Sequence, residues 1–285
     1  MNPITMKLVV DDLILQALRE DITFEDVSTA SVCPTARPAT VELIAKADGI
    51  IAGLDVFART FELLDPQSSV LFDVADGDEV HAGDHVGQVR GDARVLLSGE
   101  RVALNYLQRM SGIATYTHSM AAALEGTKTV LVDTRKTTPG MRVLDKMAVK
   151  LGGGENHRMG LFDMILLKDN HIDFAGGIQK AIHGVREYLK ARGKELPIEC
   201  EVRTLEDIDE VFAAGGVDRI MFDNFTPEMT RLAVEKVAGR CETESSGGIT
   251  LETMRDYAEC GVDFISVGAL THQIRSLDMS LKACE

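Results

Sequence analysis

Residues 128–171 read KTVLVDTRKTTPGMRVLDKMAVKLGGGENHRMGLFDMILLKDNH. Two short apolar runs, at 129–132 and 164–167, each end in polar residues, and a helix-like segment separates them. A strand followed by a helix and a second strand is the unit of a parallel sheet, because parallel neighbours need a crossover connection. The segment therefore predicts that this part of the chain is built from βα repeats.

The same alternation continues toward the end of the chain. Helices are predicted at 141–152, 176–193, 204–216, 226–239 and 250–261, and a threonine followed by an acidic residue opens each of the last three. Such a threonine caps a helix by accepting a hydrogen bond from an amide of the first turn. The pattern predicts six parallel strands, at 128–134, 162–168, 196–202, 218–224, 241–245 and 263–269.

The region before residue 114 has a different rhythm. Residues 1–38 predict a helix followed by a loop, and short β-like runs recur from 39 to 99, the last of them at 93–99. A long helix is predicted from residue 99, with apolar residues at helical spacing. We predict a small sheet-rich domain in residues 1–113 and a second domain in residues 114–285, whose last residues can pack back on the first domain.

The predicted strand ends favour a barrel over an open sheet. In α/β barrels the carboxyl ends of all strands meet on one face, where the chemistry takes place. Six strands are fewer than the usual eight, so we predict an incomplete six-stranded α/β barrel whose open side another element covers, the first domain being the candidate. The polar or small strand ends are Asp133–Thr134–Arg135–Lys136, Lys168–His171, Glu201–Arg203, Asp223–Asn224, Glu244–Gly248 and Gly268.

The charge distribution indicates a small anionic ligand. The chain has 285 residues and a formal net charge of −15. Residues 135–169 nevertheless contain seven Lys or Arg and four Asp or Glu, a local excess of +3. Cations concentrated in an acidic protein are typical of an anion-binding site. The overall negative charge argues against nucleic acid as a partner.

Other features of the sequence predict a cytoplasmic location. There is no apolar run near the length of about 18 residues that a membrane span needs, so we expect no membrane partner. The first residues lack a basic start and a small-residue cleavage site, so we expect no secretory signal. The five cysteines are scattered and contain no CxxC pair, which predicts reduced thiols.

Four cations are predicted at strand ends or in the adjoining loops. Arg135 and Lys136 end the first strand, Arg158 follows the loop GGGENH, and Lys168 ends the second strand. Arg can bind carboxylate or phosphate through two bonds, while Lys supplies a compact charge. Converging cations repel one another unless an anion lies between them, so we interpret these four as ligand-binding. The intervening helix carries two further cations that we expect to be solvated: Lys146 and Lys150.

Two carboxylates end neighbouring strands. Glu201 and Asp223 are candidates to hold Mg²⁺ or the hydroxyl groups of a ribose. An internal ion pair to Lys136 or Lys168 is an alternative that can coexist with that role. Glu199 shares a strand face with Glu201, and we rank it lower, as a second ligand or as a charge in a lower layer of the barrel.

Small residues at the last two strand ends predict a phosphate site. Ser246, Gly247 and Gly248 lead toward a helix predicted to begin after Thr250, and glycine amides at a helix N-terminus favour oxyanions. In β/α barrels the last two loops are the frequent phosphate site. The final strand end offers further candidates: Val267, Gly268, Ala269 and His272.

His157 is open to two interpretations. It follows the flexible run Gly152–Gly153–Gly154, so it can reach the pocket as an orienting donor. A packed structural histidine is the alternative. We expect Asn170 and His171 to support the site without touching the ligand.

Several blocks of the sequence resemble the quinolinate phosphoribosyltransferase family, the carboxylating nicotinate-nucleotide pyrophosphorylases. ALREDITFEDVST at 17–29 is similar to an N-terminal block of the family, although Thr23 and Glu25 stand in a loop where glycines are usual. The order and spacing of the other blocks make the resemblance specific. They are GERVALNYLQRMSGIAT (99–115), DTRKTTPG (133–140), GGGENHRMGL (152–161), KDNHI (168–172), ECEV (199–202), MFDNF (221–225), SSGGIT (245–250) and ISVGALTH (265–272).

The resemblance implies a fold and an activity. The family joins an α/β sandwich domain to an incomplete α/β barrel and works as a homodimer or larger assembly. It transfers phosphoribose from phosphoribosyl pyrophosphate to quinolinate, releasing CO2 and pyrophosphate, and the nicotinate mononucleotide formed feeds NAD synthesis. The family implies Mg²⁺ with phosphoribosyl pyrophosphate and no organic cofactor.

The resemblance also implies roles for particular residues. The quinolinate carboxylates would meet Arg135, His157, Arg158 and Lys168, with Thr134 beside them and Arg101 supplied by a partner subunit. Lys136, Glu201 and Asp223 would be catalytic and face the ribose and Mg²⁺–pyrophosphate, with the two carboxylates near the metal. The 5′-phosphate would be held by Ser246–Gly248 and Val267–Ala269, with His272 as a further donor.

Two alternatives stay open at this point. A related pyrophosphorylase, of the nicotinate or molybdenum-associated type, would use the same scaffold for another acceptor. The NHRMGL and LLKDNH blocks favour the quinolinate enzyme because they supply the extra cations that a dicarboxylate needs. A non-catalytic anion-binding protein is the second alternative, and the joint presence of Lys136, Glu201 and Asp223 argues against it.

Overall fold

The computed structural model describes residues 2–284, and these divide into two units. The first contains residues 2–118, 138–153 and 273–284, and the second contains residues 119–137 and 154–272. The units are defined by contacts in space, so the domain boundary predicted between residues 113 and 114 stays a prediction. Among residues 2–284, no helix combines the length and the apolar character needed to cross a membrane.

The first unit is built around an antiparallel sheet. Its four strands are β1 (Pro38–Ala45), β3 (Ser69–Phe72), β5 (His85–Asp92) and β12 (Met279–Ala283), in the spatial order β12-β1-β5-β3. In β1, Val41 lies opposite Val89 on one side and Ala283 on the other. Two short strands, β2 (Gly49–Ile50) and β4 (Glu79–Val80), form a separate pair.

Helices complete the first unit. The core includes the fully buried side chains of Phe57, Phe61, Leu104 and Leu107, on α4 (Leu54–Leu64) and α5 (Ala93–Ala123). These apolar positions repeat at helical spacing, which orients one face of each helix into the core. The other helical segments are α1 (Pro3–Thr5), a π-helical turn (Met6–Val10), α2 (Asp11–Ile22), α3 (Val27–Val32) and α6 (Arg142–Leu151).

Two expectations for these segments are wrong, those for residues 93–99 and for Lys146, and one helix was missed. Residues 93–99 begin the long helix α5 and do not form a strand, and the helix α4 was not predicted. Ala93 and Leu96 are buried three positions apart, a helical spacing that the aliphatic run VLL obscured. On α6, Lys150 is exposed as expected, but Lys146 is fully buried, so it is not a solvated surface charge.

The second unit confirms the predicted parallel sheet. Its strands are β6 (Val130–Val132), β7 (Ile165–Leu167), β8 (Ile198–Val202), β9 (Arg219–Asp223), β10 (Glu242–Ser246) and β11 (Phe264–Ser266). The spatial order is β6-β11-β10-β9-β8-β7, and within residues 2–284 the end strands β6 and β7 do not pair. The sheet is therefore an incomplete six-stranded α/β barrel. Its helices are α7 (Asp169–Ala175), α8 (Ile178–Arg192), α9 (Leu205–Ala214), α10 (Pro227–Val237), α11 (Met254–Ala258) and α12 (Ala269–His272).

Two of the three predicted helix caps are confirmed. The Thr204 and Thr226 hydroxyls accept hydrogen bonds from amides in the first turns of α9 and α10. Thr250 is not a cap, because α11 begins only at Met254 and Thr253 occupies its N-cap position. The Thr250 amide instead donates to the Thr253 hydroxyl at 3.0 Å, so a turn forms where a helix was predicted.

Register aligns the strand ends of the barrel. Ser246 on β10 pairs with Asp223 on one side and with Ser266 on the other. Ser266 in turn pairs with Val132 of β6. Because side chains alternate between the two faces of a strand, the residues two positions earlier form the next layer down in the barrel interior.

Candidate active site

A cavity of about 450 Å³ lies at the carboxyl ends of the barrel strands. Its volume falls within the range typical of small-molecule sites, about 300–1,000 Å³. Every residue that lines it belongs to the second unit. Ten of the residues predicted from the sequence line the cavity: Thr134, Arg135, Lys136, His157, Arg158, Lys168, Asp223, Ser246, Gly247 and Gly248.

Four further lining residues share one property; sequence reasoning missed three of them and named Glu244 only as part of a strand end. Each stands two positions before a predicted site residue or strand end, on the same face of its strand. The alternation of side chains along each strand would therefore have predicted these positions. They are Leu166, Met221, Glu244 and Ser266.

Cations repel one another at one side of the cavity. Arg158 is partly buried, and its guanidinium lies 3.4 Å from the Met164 carbonyl oxygen. Burial and the charge of Arg135 lower the pKa of Arg158. An anionic ligand would supply a counter-charge where water is scarce, and this would favour the charged form of Arg158.

Lys168 and Glu201 form an ion pair at the same end of the barrel. Lys168 Nζ lies 3.2 Å from Glu201 Oε2, and the Asp169 amide donates to Glu201 Oε1 at 3.3 Å. Glu201 is buried, whereas the Lys168 side chain is about half exposed, at 49%. The internal ion pair considered from the sequence is therefore present. Lys168 is among the described residues that line the cavity and Glu201 is not, so Glu201 influences the cavity through its contact with Lys168.

Asp223 is held by its neighbour. The Asn224 side-chain amide donates to Asp223 Oδ2 at 2.8 Å, and the Asn224 backbone amide donates to the Ser246 carbonyl oxygen at 2.8 Å. Asn224 adopts a left-handed conformation with φ 56°, which asparagine tolerates better than most residues. Gly247, at φ 101°, faces this turn, and a Cβ there would meet the Asn224 side chain and backbone nitrogen. The glycine therefore permits the close approach of the two strand ends.

The loop after β11 packs against Lys136. A Cβ at Gly268 would meet the Lys136 side chain and the His272 ring, so glycine lets these three residues lie together. The Lys136 amide donates to Thr134 Oγ1 at 3.0 Å, and the Thr271 hydroxyl donates to the Lys136 carbonyl oxygen at 2.9 Å. Gly268 and His272 thus lie beside Lys136, whereas Val267 and Ala269 flank Gly268 in the chain, and the described residues that line the cavity include none of these four.

The predicted phosphate loop differs in one respect. Ser246–Gly248 was expected to lead directly into a helix, but α11 is five residues long and begins at Met254. A helix dipole at this loop therefore does not contribute as expected. The positive φ angles of Gly247 and Gly248 leave their loop amides as the candidate donors.

His157 is buried, and both ring nitrogens have protein partners. Nδ1 accepts a hydrogen bond from the Arg158 amide at 2.8 Å, and Nε2 lies 3.0 Å from Glu199 Oε2 and 3.3 Å from Glu244 Oε2. Burial by itself lowers the pKa of His157, while the two glutamates raise it to about 9. That pKa would make the ring cationic near neutral pH, but a cationic ring would point Nδ1–H at the Arg158 amide hydrogen. The hydrogen bond at Nδ1 therefore favours the neutral ring with its proton on Nε2.

The two predicted carboxylates, Glu201 and Asp223, differ in how well they fit a magnesium ion. Both Glu201 oxygens accept bonds from protein donors, Lys168 and the Asp169 amide, which leaves little capacity for a metal. Asp223 lines the cavity, and only its Oδ2 receives a hydrogen bond recorded among the described residues. Asp223 therefore fits the metal-facing role better than Glu201.

Arg101 lies on α5 in the first unit and is exposed. There it lines a different cavity, of about 320 Å³, together with Glu20, Asp21 and Arg109. Its predicted role in the site of a partner subunit stays a prediction.

A barrel that presents cations, a carboxylate and glycine amides around one small cavity is suited to enzymes acting on carboxylated and phosphorylated small molecules. The comparisons specify the family. Residues 21–111 match the model of the quinolinate phosphoribosyl transferase N-terminal domain, and residues 113–282 match that of its C-terminal domain. The chain belongs to the quinolinate phosphoribosyltransferase family.

Individual relatives agree with this assignment. The chloroplastic "nicotinate-nucleotide pyrophosphorylase (carboxylating)" of Arabidopsis thaliana is 46% identical, over 93% of this chain and 80% of that protein. The crystal structure of NadC from Streptococcus pyogenes has a TM-score of 0.92 and 42% identity, covering 99% of this chain and 97% of that one. The nicotinate-nucleotide pyrophosphorylase of Francisella tularensis has a TM-score of 0.91 and 36% identity, covering 97% and 96%.

Proposed function

We propose that the chain transfers phosphoribose from phosphoribosyl pyrophosphate to quinolinate, with loss of CO2, to give nicotinate mononucleotide for NAD synthesis. The observation that carries the proposal is that the residues lining the barrel cavity fall into two groups of different chemistry. Arg135, Arg158 and Lys168 provide cations for a dicarboxylate, while Asp223 and Gly247 belong to the strand ends that suit ribose and phosphate.

Binding of the acceptor follows from the cations. Quinolinate carries two carboxylates, and these would offset the repulsion between the Arg135 and Arg158 guanidinium groups. Lys168 can move between Glu201 and a substrate carboxylate, because its side chain is half exposed. A monocarboxylate such as nicotinate would leave part of this cationic set without a counter-charge, which disfavours it.

Positioning and electrostatics explain the transfer step. The quinolinate ring nitrogen forms a bond to C1 of the ribose as the bond to pyrophosphate breaks, and pyrophosphate leaves with the bonding electrons. Positive charge develops on the ribose, and the Asp223 carboxylate is the group in the cavity suited to stabilise it. Holding the nitrogen in line with the breaking bond is a further large contribution.

Decarboxylation then needs no organic cofactor. The ring nitrogen of the intermediate bears a positive charge, so the ring accepts the electrons left behind when the neighbouring carboxylate departs as CO2. A proton replaces the carboxylate on the ring carbon. Lys136, whose backbone is fixed by Thr134 and Thr271, lies at the phosphate side, where its charge suits pyrophosphate or the 5′-phosphate.

Magnesium enters this proposal as part of the phosphoribosyl pyrophosphate substrate. Asp223 would face that ion, and Glu201 would act on it indirectly, as a buried negative charge at the end of the neighbouring strand. The ion supplies positive charge that stabilises the departing pyrophosphate. Gly268 and His272, which lie beside Lys136, would support the phosphate side together with Val267 and Ala269 of the same strand end.

We also propose a homodimer with shared active sites in the cytoplasm. Arg101 is exposed on α5, outside the cavity-bearing unit, and would reach the site of the partner subunit. The proposed location rests on the sequence, whose five cysteines are scattered without a CxxC pair.

The release of labelled CO2 tests the proposed function. Purified protein is incubated with carboxyl-labelled quinolinate and Mg²⁺, with and without phosphoribosyl pyrophosphate, and formation of the mononucleotide is followed in parallel. We expect CO2 only when both substrates are present. Turnover of nicotinate and not of quinolinate would identify a related pyrophosphorylase, and binding without turnover would identify a non-catalytic protein.

A further inference from the structure

A polar cluster lies at the base of the cavity, where two of its members, His157 and Glu244, belong to the lining. It consists of His157, Glu199, Glu244 and Arg219, and we call it the lower charge cluster. Glu199 and Glu244 stand two residues before Glu201 and Ser246 on their strands, so they point into the barrel at a lower level. Both glutamates are fully buried.

The cluster forms a continuous chain of contacts. Arg219 lies between Glu242, at 2.9 Å, and Glu244, at 3.1 Å. Glu244 Oε2 is 3.3 Å from His157 Nε2, and Glu199 Oε2 is 3.0 Å from the same nitrogen. The opposite side of the His157 ring accepts the hydrogen bond from the Arg158 amide. The chain thus ends at a cation that lines the cavity.

The arrangement constrains the Arg158 backbone. The His157 backbone amide donates to Asp133 Oδ1 at 2.9 Å, Nδ1 of the ring accepts from the Arg158 amide, and Nε2 lies 3.0 Å from Glu199 Oε2. These contacts limit the orientation of the ring, and its Nδ1 sets the direction of the Arg158 N–H. A shift in the ring would therefore move the residue whose guanidinium serves the ligand, and small displacements matter strongly in such sites.

Packing alone does not account for two buried glutamates. Buried charges are costly, and well-packed apolar residues are often at least as stable in their place. We propose that Glu199 and Glu244 are positioning residues, which hold the His157 ring so that Arg158 is placed to bind a substrate carboxylate. This inference rests on the proposed function, whose acceptor is a dicarboxylate.

A metal ion is the competing occupant of this cluster. Ligand atoms of His157, Glu199 and Glu244 lie within 4.8 Å of one another, close enough for shared coordination. Arg219 argues against an ion, because its guanidinium is already 3.1 Å from Glu244 Oε2 and would repel a cation. The positioning role uses the same contacts without that repulsion.

Steady-state kinetics with matched variants tests the inference. Glu199→Met removes the acceptor at similar volume, and Glu199→Gln keeps an oxygen for the His157 Nε2–H. We expect Glu199→Met to raise the KM for quinolinate by about tenfold, because a displaced Arg158 would bind the substrate carboxylate less well. The KM for phosphoribosyl pyrophosphate should change much less, and Glu199→Gln should recover most of the affinity.

Glu242→Gln is the matched control. It contacts the other side of Arg219, is partly exposed and lies on the same strand as Glu244, so the KM for quinolinate should stay near that of the parent. Circular dichroism and thermal unfolding check that each variant folds, and Glu244→Met carries the same prediction if Glu199→Met does not fold.

Three results would overturn the inference. The first is an unchanged quinolinate KM in a folded Glu199→Met variant, and the second is an equal rise in the KM of both substrates. The third is the presence of one bound metal ion per chain in the parent protein that is lost in Glu199→Met. Failure of the parent protein to convert quinolinate would instead contradict the proposed function, so the two failures are distinguishable.

Discussion

Lys168 Nζ lies 3.2 Å from Glu201 Oε2, so one of the cations predicted to bind substrate already has a buried carboxylate as its partner. Arg158 is in the opposite situation, since burial and the neighbouring Arg135 disfavour its charge. The two cations should therefore respond differently to an incoming anion. A dicarboxylate competes with Glu201 for Lys168, but it relieves repulsion at Arg158.

We predict that Arg158→Ala weakens quinolinate binding more than Lys168→Ala does. Arg158→Ala should cost about 2–5 kcal/mol, the usual range for removing one member of a desolvated charge pair. Lys168→Ala should cost less, because the ligand no longer displaces Glu201. Isothermal titration measures both affinities, with Arg203→Ala as the control, since Arg203 forms an exposed ion pair with Asp173. A larger loss for Lys168→Ala would contradict the assigned roles.

We predict that Asp223→Asn lowers turnover far more than it weakens quinolinate binding. The carboxylate matters most when positive charge develops on the ribose, so its neutral isostere loses transition-state stabilisation. A loss of about 100-fold in kcat is of the size seen when one electrostatic group is removed. Steady-state kinetics and direct titration of quinolinate separate the two effects. Loss of quinolinate binding with turnover intact at saturation would show that the role is wrong.

We predict that Gly247→Ala raises the KM for phosphoribosyl pyrophosphate. Its Cβ would meet Asn224, and the shift would move Asp223 and the loop amides at the phosphate side. Gly83→Ala is a suitable control, because Gly83 also has positive φ, at 103°, but open space around it. Both variants bear a similar backbone strain of about 1–2 kcal/mol. Equal kinetic effects of the two substitutions would attribute the loss to strain and remove the argument for the loop.

We predict that Arg101→Ala and Lys136→Ala complement each other. Each homodimer should be nearly inactive if every site needs Arg101 from one chain and Lys136 from the other. Equal amounts unfolded and refolded together should produce mixed dimers in which one of the two sites is intact. With random pairing, roughly a quarter of all sites are restored. Absence of recovery, with mixed dimers verified by mass spectrometry, would exclude Arg101 from a shared site.

We predict that Asp11→Asn destabilises the first unit at neutral pH. Arg59 donates two hydrogen bonds to Asp11, each 2.8 Å long, and the hydrogen bonds lower the pKa of Asp11. Loss of this pair should cost about 1–3 kcal/mol at pH 7, measured by chemical denaturation. Glu62→Gln, which removes the exposed partner of Arg59, should have a smaller effect.

The pH dependence of this difference has a defined sign. A carboxyl whose folded-state pKa is lowered stabilises the fold above its unfolded pKa, near about 4, and the contribution disappears as pH falls below that value. The parent and Asp11→Asn should therefore converge in stability between about pH 4 and pH 2. A constant difference over this range would show that the ion pair is not the cause.

Local patterns determined the barrel elements because each pattern depends on neighbours along the chain. Thr204 and Thr226 cap their helices as predicted, since the hydroxyl and the amides it accepts from are a few residues apart. The aliphatic run at 93–99 was misread because strand and helix share such residues, and burial at helical spacing became visible only in the fold. The prediction for Thr250 failed because residues 250–253 form a turn, in which the Thr253 hydroxyl accepts a hydrogen bond from the Thr250 amide before the helix begins.

The sequence by itself determined which cations and glycines stand at the strand ends, because parallel strands bring their carboxyl ends to one edge whatever their order. Only the tertiary structure decided which partners these residues have. Lys168 pairs with Glu201, 33 positions away, and His157 lies between Glu199 and Glu244. Such pairs depend on strand order, register and depth in the barrel, quantities that arise from packing and leave no fixed spacing along the chain.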